Sequence, residues 1–153
     1  MAISLVTRPP SNQRTYDAFW SGDPAFVQGT GPEHAAKIAR ARETGDWSQL
    51  LIAGLTPTKF VMRHIPVQIK HRILDQYRAD KIGDLELDDI LVRVACIEVV
   101  DLGDFRWSPV LDDRWGSIAS PELTELLDEV APRAIGELAV QVYNRMMGVS
   151  GKS

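Results

Sequence analysis

SQLLIAGLTPTKFVMRHI (48–65), PVQIKHRILDQYRA (66–79) and LELDDILVRVACIEVV (85–100) follow one another almost without interruption. In the first, Leu50, Leu51 and Ile52 lead into Gly54-Leu55-Thr56-Pro57, after which Phe60, Met62 and His64 alternate with Val61, Arg63 and Ile65. Turn residues between short runs with β-branched content predict a β-hairpin near 49–65. A lone hairpin is marginal in water, so it is expected to pack on helices or pair with the N-terminal segment. Pro66 can end the second strand and open a helix. There Ile69, Ile73 and Tyr77 recur every four residues beside Leu74, and Lys70, His71, Arg72, Gln76 and Arg78 take the other face. After Gly83, Leu87, Ile90, Leu91, Val94, Ile97 and Val100 fit helical spacing, which predicts one central helix running to the end of the stretch.

Outward from this centre, residues 1–31 are broken every few positions by Pro9-Pro10, Ser21-Gly22, Asp23-Pro24 and Gly29-Thr30-Gly31. They read as an irregular N-terminal arm, with a short strand suggested by the alternation of Ile3, Leu5 and Thr7. The arm carries Tyr16, Phe19, Trp20 and Phe26, rings that either cover the chain's own core or dock on a neighbouring subunit. A helix opens at Pro32 and stops at Gly45. Its one large apolar residue is Ile38, so it is expected at the periphery. Residues 103–119 read as a connection. Ser120, Pro121 and Glu122 form a helix start, and Pro132 opens a last helix that ends at Gly148. The expected architecture is α+β and mainly α-helical. It has about five helices packed with a small hairpin, as one domain over 32–148 followed by a flexible tail at 149–153.

The chain has 153 residues, enough for a core that needs no disulfide or metal. Its formal charge of −4 argues against a dedicated nucleic-acid binder. Cys96 is the only cysteine and lies in an apolar run, where it reads as a small buried hydrophobe. No apolar run approaches a membrane span, and MAISLVTRPP lacks the long apolar region of a secretion signal. Neither membrane nor nucleic acid is therefore an expected partner.

Catalytic chemistry is hard to find. His64 and His71 stand seven apart without a third ligand, and no CxxC, phosphate loop or nucleophile elbow occurs. The acidic run DLELDD lacks the glycine and terminal glutamate of a calcium loop. We expect no cofactor, no metal and no catalytic residue. What stands out is charge order. Between Lys59 and Lys81 six Lys or Arg face two Asp, whereas between Asp84 and Asp104 seven acids face Arg93 alone. Either these are solvated faces, or the basic surface of one subunit meets the acidic surface of the next. Candidate contact residues are therefore the arm's Tyr16, Phe19, Trp20 and Phe26 and the basic Lys59, Arg63, Lys70 and Arg72.

Gly54, Pro57, Thr58, Phe60, Met62, Arg63 and Ile65 form the pattern G-x-x-P-T-x-F-x-h-R-x-h, with h apolar. With the later segments CIEVVDLGDF, SPELTELLDEV and IGELAVQVYNRM, it resembles small proteins of tailed-bacteriophage structural clusters over about residues 46–147. Tail-assembly chaperones and minor virion components are the similar groups. The resemblance implies a non-enzymatic assembly or virion protein in the host cytoplasm or the particle. Its partners would be other phage structural proteins of tail or tape-measure type, and possibly itself as a homo-oligomer. The alternative is a small regulatory or host-takeover protein that binds a host protein or nucleic acid.

Overall fold

The computed structural model describes residues 14–148; the expected strand at Ile3–Thr7 and the tail at 149–153 lie outside them. The architecture is α+β, with five helices and two small antiparallel sheets. In chain order the elements are β1 (Thr15–Ala18), α1 (Pro32–Thr44), β2 (Lys59–Arg63), α2 (Val67–Arg78), α3 (Asp84–Ala95), β3 (Cys96–Val100), β4 (Pro109–Asp112), β5 (Gly116–Ala119), α4 (Pro121–Val130) and α5 (Ala134–Met146).

The strand expected at 59–65 is present as β2, but the hairpin is not. β2 is the middle strand of a three-stranded sheet, with β1 on one edge and β3 on the other. Thr15 stands opposite Arg63 and Ala18 opposite Phe60 on one side, and Lys59 opposite Val100 on the other. Residues 50–52 instead meet the arm. Leu51 bridges Phe26, the Val27 amide donates to the Leu50 carbonyl, and the Ile52 amide donates to Ala25. β1 and β3 occupy both edges of β2, which leaves residues 50–52 to pair with the arm.

The run read as one long helix divides at Ala95/Cys96. α3 buries six side chains between Leu87 and Ala95, and the next five residues extend as β3. Ile97, Val99 and Val100 are β-branched, and an unpaired edge of β2 is there to receive them. An apolar run of this density fits either period until a partner strand decides it. Residues 103–119 are likewise more than a connection. They hold the β4–β5 hairpin, whose turn forms as Asp112 accepts from the amides of Arg114 (2.7 Å) and Trp115 (3.2 Å). Trp115 is buried below it.

The main core gathers Phe60 and Met62 of β2, the inner side of α3, Trp115 and Ile118, and Leu123, Leu127, Leu138 and Val142 of the last two helices. A second, smaller cluster joins Phe26, Ala41, Trp47 and Leu50, with Phe19 and Ile38 against it. α1 contributes only Ala41 as a fully buried residue, as its sparse apolar pattern implies. α4 starts as read: the Ser120 hydroxyl accepts from the Glu122 amide at 3.2 Å.

On α3, burial and the neighbouring Asp84 carboxylate hold the Asp88 pKa above its ordinary value. Because the folded value lies above the unfolded one, the ionised form is disfavoured by folding. The native state is thus relatively favoured in acid and loses that advantage as pH rises through the folded pKa. Asp88→Asn should raise the melting temperature near neutral pH. The gain should shrink toward zero below about pH 3, where the native carboxyl is also neutral. Thermal melts of both proteins across this range check it.

Candidate functional site

The structure does not gather the arm's four rings into one patch. Phe26 is buried, with its ring centroid 5.1 Å from Trp47. Phe19 meets Phe26 edge-on at 5.8 Å. Both belong to the smaller cluster. Trp20 packs on the main core. It also lies across Gly22 so closely that a Cβ there would stand 2.4 Å from the indole and displace the ring. Tyr16, on β1, lies 5.2 Å from the His64 ring and has the Arg145 guanidinium 4.3 Å from its centroid. Burial raises its hydroxyl pKa well above the ordinary value, and Arg145 offsets only part of that rise.

The basic residues are separated too. Lys59 stands 4.0 Å from Asp17 at the surface. Arg63 is buried, and its Nε donates to the Val94 carbonyl at 2.9 Å. Desolvation lowers its pKa. It joins β2 to the end of α3, a position unlike that of a surface contact. Lys70 is half-buried on α2. Arg72 is exposed and donates to the Arg114 carbonyl. Of the four, Lys70 and Arg72 share α2 and the other two share β2.

Two features emerge that the sequence reading did not single out. The first is a junction on α5. Glu137, whose side chain is 9% exposed, accepts from the Ser21 amide (2.9 Å), the Ser21 hydroxyl (2.9 Å) and Arg42 Nε (3.1 Å). One turn later, Gln141 Nε2 donates to the Phe19 carbonyl at 2.8 Å. Two polar side chains four apart, on the inward side of α5, thus fasten the arm and α1 to the last helix. Beside them is an open cleft of about 690 Å³ lined by Trp20, His34, Arg42, Arg133 and Glu137. Its carboxylate is already occupied by the chain's own donors. The signal available in sequence was a Glu and a Gln four apart within the apolar first three turns of α5.

The second is an open apolar groove of about 750 Å³ between the 102–106 loop and α4, lined by Leu102, Phe105, Leu126 and Val130, with Asp104, Arg106 and Glu122 at its rim. Val130 is 58% exposed. Leu102 and Val130 also line a smaller pocket of about 200 Å³, to which Trp20, Pro24, Phe60 and Leu127 contribute.

For chemistry, Cys96 is fully buried and its thiol is pushed up to about 12, chiefly by burial, so it is a poor nucleophile. Among the described residues no group of three or more His, Cys, Asp or Glu could hold a metal ion.

The Glu137 junction makes a direct prediction. Glu137→Ala leaves the Ser21 amide and Arg42 without their acceptor and should cost about 2–3 kcal/mol, tempered by the partial exposure of Arg42. A lower urea midpoint with an unchanged slope would show it. A midpoint equal to the parent would mean the contacts do not hold the arm.

Comparisons with protein-family models, with curated proteins and with solved structures give no match.

Proposed function

We propose that the chain is a non-enzymatic assembly or virion protein of a tailed bacteriophage, working through protein–protein contacts in the host cytoplasm or in the particle. The observation that carries the contact part of this reading is the open groove at Leu102, Phe105, Leu126 and Val130. It is an apolar, concave strip left open to solvent. The phage part rests on the pattern over residues 46–147.

The pattern's residues have a fold-forming role that suits a family signature. Phe60, Met62, Arg63 and Ile65 are buried in or beside β2. The Thr58 amide donates to Asp23 (2.9 Å) and its hydroxyl to the Asp101 carbonyl (2.6 Å). The signature therefore builds the sheet, and the working surface lies elsewhere. No helix among the described residues is long and apolar enough to cross a membrane. Partners of tail or tape-measure type, and a second copy of the chain, belong to the same proposal.

The test is protein mass spectrometry of purified particles and of tail intermediates from an assembly-blocked infection. A virion component is found in the particles. An assembly chaperone is missing from them but copurifies with a tail precursor. Absence from both would refute the reading. Lys70→Glu with Arg72→Glu should lower the melting temperature only modestly, since half-buried Lys70 and the Arg72 bond to the Arg114 carbonyl each contribute about 1 kcal/mol. If the basic side of α2 orients an assembly, the double reversal should reduce particle yield.

A further inference from the structure

We propose that the groove between the 102–106 loop and α4 receives an amphipathic helical segment of another protein, one whose apolar anchors are flanked by lysine and arginine. This rests on the protein-contact reading above and specifies the chemistry of the partner.

The shape sets the apolar part. The groove and a smaller pocket of about 200 Å³ adjoin at Leu102 and Val130, which line both. The pocket suits one large side chain as an anchor, and the groove suits its neighbours on the same helical face. Along α4, Glu122, Leu126 and Val130 repeat every four residues, so one side of the helix forms the wall. α4 has ten residues, about 15 Å, which matches about three turns of a partner helix. An added strand would need a free sheet edge along the groove. Its walls are a helix and the loop after β3, so helix-in-groove recognition is the mode on offer.

Charge sets the flanks. Residues 101–106 and 121–131 carry Asp101, Asp104, Glu122, Glu125, Asp128 and Glu129 against Arg106 alone. All six acids are exposed or nearly so, and among the described residues none is in an ion pair. An acidic helix face alone would be a solvated surface. Here Asp104 and Glu122 line the apolar groove itself, with Arg106 beside them, so a partner must match both. Basic flanks gain attraction on approach, and acidic ones are repelled.

The experiment uses the full chain and two labelled synthetic peptides of about 14 residues, with leucines at i, i+4, i+7 and i+11. One carries lysines beside the leucines, the other glutamates. Fluorescence anisotropy should show saturable binding of the basic peptide and at least about tenfold weaker binding of the acidic one. Val130→Lys, at an exposed position, should weaken the basic peptide about tenfold or more. Glu122→Lys with Glu129→Lys should shift preference toward the acidic peptide. Circular dichroism and thermal melts of each variant confirm that it is folded. The proposal is overturned if neither peptide binds, if both bind alike, or if folded Val130→Lys binds as the parent does. It is also overturned if sedimentation shows a concentration-dependent dimer that Val130→Lys abolishes, since a second copy then fills the groove. The assay contains no phage component. Its failure therefore leaves the particle experiment standing, and a failed particle experiment leaves the groove result standing.

Discussion

β2 must be hydrogen-bonded on both edges, and the segments that satisfy it come from opposite sides of the sequence. Residues 15–18 arrive from before it and 96–100 from after it. Each pairing closes a long loop, which costs conformational entropy before any contact forms. Burial of Phe60 and Met62 against α3 and the last two helices supplies the return. The entry to the strand is held separately. Asp23 accepts from the Thr58 amide while the Thr58 hydroxyl donates to Asp101, so arm, centre and the segment after β3 meet at one residue. The position of Leu102, and so the groove, follows from that meeting.

Much of this was legible from residue order. The five helices, the Ser120 cap and the peripheral character of α1 follow from proline, glycine and apolar spacing. What the sequence left open was partner choice. Leu50–Ile52 and Phe60–Met62 look like the two arms of a hairpin. Only the competition among edges sends the first to Phe26 and the second to β1 and β3. The Ala95/Cys96 boundary is of the same kind, because an apolar β-branched run satisfies a helix and a buried strand equally until a ladder is available. Arg63 shows the limit for surface residues. As a charged group in an alternating strand it reads as exposed, yet it is buried with Nε on the Val94 carbonyl.

The polar groups that might suggest chemistry are turned toward holding the fold. Glu137 is saturated by Ser21 and Arg42, Asp23 by Ala25 and Thr58, and Asp112 by its own turn. The groove differs: its lining is apolar and its rim carboxylates face solvent.

The arm from residue 14 onward is part of the folded unit, held by β2 and α5. Native-state hydrogen exchange tests this most directly. The β1 amides that donate to β2, and the Ser21 amide, should exchange as slowly as those of Phe60 to Met62, through the same global opening. Fast exchange at those amides, with α3 to α5 still protected, would contradict it.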